Sequence, residues 1–388
     1  MGMDETVQAD PVVLGRRIRV ARTQAGKTQA EAAAAIGVAR TTLVAIENGS
    51  RPARPEEVIG LASLLGVSAN RLLRDEAVHV DLTPQFRKLR NSDTEQVEEA
   101  VTILLRFVKA EVELERILDE TRPPSILFER PILPGDPKQQ AEGDAQELRN
   151  ILGLGTGPIH DLFGLMEMDL QMRLYAAPLV SDLSGIFTYA EDVGLVVLLN
   201  AKHPLSRQRQ SAAHELGHAV GSRRTPDVDG GPSSNRSRDD VYATAFGAAF
   251  LIPAAHARRR FARVVGGDRA FTRRHVIILA HEYGVSREAV VRRFEAIGLV
   301  KGGTWDWFKD NGGISDMQAA EVLGQEAVQA AKVSTAAART SVRLDGLAVR
   351  ALREELLSEG QVAELLSYDR SRVRALCQEA SEDSDEPG

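Results

Sequence analysis

Residues 214–218 form the run His-Glu-Leu-Gly-His, whose residue types and spacing are suited to metal chemistry. If this run is helical, His214 and His218 lie one turn apart on one face, so both imidazoles can reach one ion about 2 Å away. Glu215 would lie beside them, where it can take a proton from a metal-bound water. The spacing therefore predicts a hydrolytic metal site. We expect Zn²⁺ as its cofactor, with another divalent metal such as Mn²⁺ as the alternative.

A third protein ligand is needed to complete such a site. The next candidates along the chain are Asp239 and Asp240, which precede a segment predicted to be helical to about Leu251. Either carboxylate would complete a His-His-acid site with one position open for water. The non-metal alternative is that the acid only caps the helix, since a carboxylate is favourable at a helix N-terminus.

The composition limits what else the chain can do. Cys377 is the single cysteine, which excludes an internal disulfide framework and any cysteine-based zinc module. No apolar run approaches the roughly 20 residues of a membrane span, and the polar N-terminus lacks a signal-peptide core. We therefore expect a cytoplasmic protein with no membrane partner.

A strand and a helical lead-in must position the histidines. Residues 195–200 (LVVLLN) are predicted to form a strand, and residues 207–213 lead directly into the histidine helix. Many zinc peptidases hold an extended substrate by adding it to a strand edge beside the metal helix. The order of these segments predicts that arrangement here.

The N-terminal segment has a different charge from the whole chain. Residues 10–75 contain ten Lys or Arg against six Asp or Glu, about +4, whereas the net charge of the chain is −7. Thr28 is a good N-cap for a helix over 29–36, with Glu31 as its capping-box partner. Gly37 breaks that helix, and a second helix at about 39–47 ends at Asn48-Gly49. Two short helices joined in this way can place the second in a DNA major groove.

Side chains suited to DNA contact lie on these two helices. Arg40, Thr41 and Thr42, at the start of the second helix, are predicted to reach base edges. Gln29 is placed for a phosphate or base contact. Arg51 and Arg54 are placed for phosphates.

Residues 12–75 resemble the Xre/Cro-type helix-turn-helix family. The matching run is GKTQAEAAAAIGVARTTLVAIENGSRPARPEEVIGLASLLGVS, which follows the family pattern almost position by position. The resemblance implies binding to a double-stranded DNA operator. Because such domains usually bind two half-sites, it also implies a homodimer. The alternative is a helical bundle used only for dimerisation or protein contact.

Residues 140–256 resemble the peptidase domain of the ImmA/IrrE family, metallopeptidases that act on helix-turn-helix repressors. The matching pieces are AQELRNILGLGTGPIHDLFGLMEM, the strand ending at Asn200, RQRQSAAHELGH and DDVYATAFGAAFLIP. The resemblance selects Asp240 as the third ligand and implies a repressor-type protein as substrate. Three positions depart from the family: Asp240 replaces a longer Glu, Thr244 replaces Asn, and Gly247 replaces Ala. The shorter acid predicts either weaker metal binding or a closer backbone.

The last third of the chain is predicted to be helical. Residues 273–300 are predicted to form a second helix-turn-helix, with Ser286 as the N-cap of its outer helix over 287–297. An arginine-dense stretch precedes it, and we expect a packed structural module with a solvated arginine face rather than a second DNA reader. Residues 345–377 are predicted to form a third small helical unit.

The sequence therefore predicts a multidomain, mainly α protein. Its parts are an all-α helix-turn-helix head, an α+β zincin-like peptidase domain with a small sheet, and helical C-terminal modules. The predicted divisions are 10–76, helix-turn-helix; 77–139, helical segment and Pro-rich linker; 140–256, peptidase; 257–310, second helix-turn-helix; 311–378, C-terminal helical module; and 379–388, acidic disordered tail.

We expect a DNA-binding transcriptional regulator with a zinc-dependent endopeptidase domain that cleaves a regulatory protein. The alternative is a transcription factor whose peptidase-like domain is inactive and serves sensing or assembly. A further alternative is a toxin–antitoxin or phage-type regulator in which the metal fold only docks proteins.

Overall fold

The computed structural model describes residues 11–67, 69–73, 94–180, 183–225, 227–230, 237–266, 270–329 and 340–385. The chain divides into two compact units, residues 1–79 and 80–388. The predicted boundary between residues 76 and 77 lies outside the described residues.

The N-terminal unit is all helical. Thr28 and Glu31 form the predicted capping box, in which Thr28 Oγ1 accepts from Glu31 N at 3.2 Å and a Glu31 carboxylate oxygen accepts from Thr28 N at 2.8 Å. Gly37 takes a φ of +67°, which a residue without Cβ adopts readily, and so makes the turn between the second and third helices. The helices are α1 Pro11–Gln24, α2 Gln29–Ala35, α3 Arg40–Glu47, α4 Pro55–Leu65 and α5 Ala69–Leu73.

The second unit surrounds a mixed four-stranded sheet whose order is β1-β3-β2-β4. β1 runs parallel to β3, whereas β2 is antiparallel to both β3 and β4. The strands are β1 Arg173–Ala177, β2 Leu183–Ala190, β3 Gly194–Asn200 and β4 Asp227–Gly230. The predicted strand at 195–200 is confirmed, but it is the inner strand β3. Since β1 and β2 occupy both its edges, it offers no edge to a substrate.

Helices cover both faces of the sheet. They are α6 Thr94–Ile117, α7 Pro137–Ile151, α8 Leu205–Gly221, α9 Arg238–Leu251, α10 Ala254–Val265, α11 Arg273–Tyr283, α12 Arg287–Ala296, α13 Thr304–Asp310, α14 Asp316–Leu323, α15 Val342–Arg353, α16 Glu359–Leu366 and α17 Arg370–Asp385. A short helical turn, Leu162–Gly164 continued by Leu165–Asp169, precedes β1. Among the described residues, none of the helices is both long and apolar enough to cross a bilayer.

The two sheet faces belong to two separate cores. Phe187, Val197 and Leu199 pack with α7, α8 and α9, and the same core includes residues of α11 and α12. Ile186, Val196 and Leu198 point the other way, as alternation along a strand requires, and pack with α6 and α15–α17. The segments predicted as 140–256 and 257–310 therefore share one core.

Buried charges connect the sheet to the helices of the second core, α6 and α15–α17. Arg173 on β1 contacts Glu111 and Glu115 of α6 at 2.8 Å each, and Tyr175 donates to Glu111 at 2.5 Å. Arg343 of α15 contacts Glu115 at 3.3 Å. These contacts join a helix near the N-terminal end of this unit to one near its C-terminal end.

The end of the chain differs from the prediction. The sequence predicts disorder over residues 379–388, whereas α17 continues to Asp385, and residues 386–388 lie outside the described part of the chain. No proline or glycine lies between Arg370 and Asp385, so nothing interrupts the helix over these residues. With this correction, the predicted fold class is confirmed: a mainly α, multidomain chain with a small sheet.

Candidate metal centre and DNA-binding head

Both predicted histidine ligands lie on α8, which runs from Leu205 to Gly221 between the caps Pro204 and Ser222. The apolar face of the helix, including Ala212, Leu216 and Val220, is buried against the sheet. His214 and His218 therefore project together, with their Nε2 atoms 3.1 Å apart. Two nitrogens bound to one tetrahedral zinc ion would lie about 3.3 Å apart, so the observed separation fits a shared ion.

A hydroxyl oxygen lies near the other ring nitrogen of each histidine. Ser222 Oγ is 3.0 Å from Nδ1 of His218, and Thr244 Oγ1 is 3.4 Å from Nδ1 of His214. When each hydroxyl accepts the Nδ1 proton, both Nε2 atoms, 3.1 Å apart, keep a lone pair for a metal ion. Such a pair is repulsive without a positive charge between the nitrogens. The donor set therefore fits a divalent cation.

Asp240 lies on α9 and brings one carboxylate oxygen towards the histidines. Its Oδ2 accepts from Ser237 N at 2.8 Å, in a capping box in which Ser237 Oγ accepts from Asp240 N. Its Oδ1 is 3.8 Å from His218 Nε2. Asp240 therefore combines the capping role with a position beside the histidine pair. Asp239, the alternative ligand, is half-buried on the same turn.

The Asp240 carboxylate lies farther from the histidine pair than a ligand of the same zinc ion would. Within the described ranges, no three His, Cys, Asp or Glu side chains form a complete metal-binding group. The 3.8 Å between His218 and Asp240 exceeds the roughly 3.3 Å separation of two ligands on one tetrahedral zinc ion. The assignment of His214, His218 and Asp240 as ligands remains a prediction. Of the three, the two histidines lie at the separation expected for ligands of one zinc ion.

Glu215 lies at the buried side of α8, against strand β2. Its side chain is fully buried, and a Cβ atom at Gly185 would lie 2.8 Å from Glu215 Oε1. Any side chain at position 185 would therefore displace the carboxylate. Gly185 was not singled out by the sequence pattern, because only the tertiary packing places it beside the predicted base.

A large cleft opens beside the metal residues. Its volume is about 2490 Å³, and its lining includes His214, Asp240 and Thr244. Ala289 and Trp305 also line the cleft. Small-molecule sites usually occupy roughly 300–1,000 Å³, so this cleft has room for a polypeptide segment.

Other polar residues near the centre have structural roles. Tyr242 is fully buried, and its hydroxyl donates to Asp144 Oδ2 at 2.7 Å. Burial, followed by this hydrogen bond, raises the pKa of Tyr242 well above its usual 10. Ser222 and Thr244 are the polar residues whose relation to the histidines the sequence analysis missed. The i, i+4 spacing of His218 and Ser222 was a usable signal, whereas Thr244 comes from another helix.

The predicted DNA-contacting residues of the head fall into two groups. Arg40 and Thr41 are exposed at the start of α3, and Thr42 is half-buried. Gln29 donates to Glu47 Oε2 at 2.9 Å and accepts from Arg40 Nη2 at 3.4 Å, so α2 and α3 are connected where both would face DNA.

The second group lies near the start of α4. Both terminal nitrogens of Arg51 donate to Glu57 at 2.9 Å, so a phosphate contact by Arg51 would compete with this ion pair. The hydrogen bonds from Arg51 hold the pKa of Glu57 below its usual range. Arg54 is exposed. The DNA contacts themselves remain predictions.

The predicted second helix-turn-helix corresponds to α11 and α12, and its outer helix α12 is engaged in internal contacts. Arg287 donates to Asp316 at 2.8 Å, and Arg292 donates to Asp306 at 2.7 Å. Arg293 is buried and donates to the carbonyl of Ile252 at 2.9 Å. These contacts support the expectation of a structural module.

The chain combines a helix-turn-helix head with a domain that has an HExxH helix beside a small sheet. It therefore belongs to the class of regulators in which a DNA-binding head is joined to a metallopeptidase-like domain. Residues 18–72 match the helix-turn-helix family model, and residues 167–295 match the IrrE N-terminal-like domain of the M78 peptidases. These matches confirm the predicted fusion of an Xre-type head with an ImmA/IrrE-like domain. The second match extends through α11 and most of α12, in agreement with the shared core.

The other comparisons add no functional argument. No curated protein matches the chain significantly. The crystal structure of ComR from Streptococcus suis aligns with 98% of this chain and 96% of that chain, at 12% sequence identity and a TM-score of 0.17. A score of this size does not support a shared fold.

Proposed function

We propose that the chain is a DNA-binding regulator whose second unit is a zinc-dependent endopeptidase. The observation that carries this proposal is the pair of Nε2 atoms 3.1 Å apart, each on a ring whose Nδ1 atom lies near a hydroxyl. Asp240 would be the third ligand, and Mn²⁺ is the alternative metal. When bound, the ion would supply an acidified water and polarise a scissile carbonyl.

Glu215 is the proposed general base and acid. Its carboxylate is held between α8 and the glycine gap at Gly185, so it has little freedom to rotate away. It would accept a proton from the attacking water and return it to the leaving amine. The cleft lined by His214, Asp240 and Thr244 has room for a peptide chain.

The proposed substrate is a regulatory protein, and a helix-turn-helix repressor is the class that the family match favours. The substrate is either another protein or the head of this chain. We propose that the head brings the peptidase to a double-stranded DNA operator, with two heads acting as a homodimer on two half-sites.

The test compares the wild type with Glu215→Gln. Metal content is measured by elemental analysis, and cleavage of purified repressors and of the chain itself is followed by mass spectrometry. We expect about one zinc ion per chain in both proteins, and cleavage only by the wild type. Glu321→Gln, on α14, is the matched control and should cleave normally. A metal-free wild type, or equal cleavage by Glu215→Gln, would contradict the enzyme proposal.

One observation favours a second candidate function. Asp240 Oδ2 caps α9 while Oδ1 remains 3.8 Å from His218 Nε2, and this arrangement also suits a non-catalytic domain. In that case the unit would be a sensing or assembly domain of a transcription factor. Wild-type protein that changes its DNA affinity on zinc addition, but cleaves nothing, would establish this function instead.

A further inference from the structure

The helices that carry the histidines and Asp240 approach each other unusually closely. A Cβ atom at Gly217 of α8 would lie 2.7 Å from Ala243 Cα. A Cβ atom at Gly247 of α9 would lie 2.9 Å from the carbonyl carbon of Ala213 and 3.0 Å from His214 N. Separations below 3.0 Å between such atoms are sterically forbidden, so both positions require glycine at this spacing.

These contacts lie directly beside the three predicted ligands. Gly217 precedes His218, and Ala243 follows Asp240 by three residues, almost one helical turn. Gly247 packs against the backbone amide of His214 itself. Because the contacts join backbone to backbone, no side-chain rotation can relieve an added methyl group. The helices would have to separate.

The distance from Asp240 to the histidines depends on that separation. Its carboxylate is one methylene shorter than that of glutamate, and Oδ1 is already 3.8 Å from His218 Nε2. A small outward shift of α9 would carry Asp240 beyond the reach of an ion held by the histidines. A longer acid at position 240 would recover that reach.

We propose that Gly247 is a positioning residue for the metal centre: its missing side chain lets α9 approach α8 closely enough for the short carboxylate of Asp240 to serve as a ligand. The proposal rests on the proposed zinc site, but it concerns the fit between helix spacing and acid length. It requires that the effects of Gly247→Ala and Asp240→Glu on zinc affinity be coupled, so that each substitution compensates for the other.

The test measures zinc affinity by competition with a chromophoric chelator, and the visible absorption of the Co²⁺-substituted protein. We compare the full-length wild type, G247A, D240E and the double variant. We expect each single variant to bind zinc at least tenfold more weakly than the wild type. The double variant should return to within about threefold of the wild type and recover its cobalt spectrum. A merely structural defect from G247A would not be rescued by a longer acid.

Gly346→Ala on α15 is the control, since a Cβ atom there meets nothing within 4 Å. It should leave zinc affinity unchanged. If the single effects multiply in the double variant, or if D240E alone binds as tightly as the wild type, the proposal is wrong while the zinc site stands. If G247A fails to fold, the zinc affinity of D240E relative to the wild type still tests the proposal, because equal affinities contradict it. A wild type that binds no zinc would overturn the proposed function and this inference together.

Discussion

Thr244 Oγ1 lies 3.4 Å from Nδ1 of His214, the ring nitrogen that does not face His218. The contact crosses from α9 to α8. It connects a residue one turn after Asp240 to one of the two histidines, so the acid-bearing helix also orients an imidazole. Ser222 has the corresponding relation to His218 from the C-cap position of α8.

Replacing Thr244 with Val should weaken zinc binding about tenfold, because loss of the hydroxyl removes a partner that fixes the ring orientation and tautomer of His214. Chelator competition at constant pH measures the effect. Thr102→Val, on the exposed face of α6, removes a helix hydroxyl far from the centre and should have no effect. Equal zinc affinities of Thr244→Val and wild type would show that the hydroxyl does not orient the ring.

Replacing Gly185 with Ala should reduce peptidase activity at least tenfold while leaving zinc content unchanged. The added Cβ atom would lie 2.8 Å from Glu215 Oε1 and would push the carboxylate out of place without touching the histidines. Cleavage rates and elemental analysis on the same preparations separate the two effects. Loss of zinc in Gly185→Ala would instead show that the substitution disturbs α8 as a whole.

The stability of the second unit should depend on pH through Glu167. Its carboxylate is buried at the start of α15, where it accepts from Val342 N at 3.0 Å and from Ser341. Burial raises the pKa of Glu167 from its usual 4.5 to about 7. A raised pKa means that the folded protein holds the proton more tightly than the unfolded chain. The contribution of Glu167 to the free energy of unfolding is therefore complete below pH 4.5 and is lost as the pH rises through about 7.

The wild type should consequently lose about 2–3 kcal/mol more unfolding free energy between pH 5 and pH 8 than Glu167→Gln does. Gln keeps an acceptor for Val342 N but has no titrating proton. Urea unfolding at several pH values, followed by a probe in the second unit, measures the difference. Parallel pH profiles for the two proteins would show that Glu167 is not the titrating group.

Local signals in the sequence predicted the short helices of the head and the histidine pair. Thr28, Glu31 and Gly37 act within one or two turns, so their effect on α2 and α3 can be inferred without tertiary structure. The same holds for His214 and His218, which one helix places together.

Features that depend on packing between distant segments could not be derived in this way. The inner position of β3 depends on pairing with β1 and β2, and alternation alone does not specify neighbours. Gly185 and Thr244 acquire their roles only when β2 and α9 pack against α8. The sharing of one core by α8 and α12 is likewise a tertiary property.

The predicted DNA-reading surface of the head lies at the start of α3. Arg40 and Thr41 are exposed at the start of α3, and Arg40 is held towards α2 by its 3.4 Å contact with Gln29. The double variant Arg40→Ala/Thr41→Ala should therefore lose sequence-specific binding to an operator obtained by in vitro selection, while weak salt-dependent binding persists. Fluorescence anisotropy with specific and scrambled duplexes measures both. Arg54→Ala, which removes only a predicted phosphate contact, is the control: it should weaken binding to both duplexes about equally and reduce the salt dependence. If the double variant keeps the specificity ratio of the wild type, α3 is not the recognition helix, because no change at its exposed start then affects the choice of sequence.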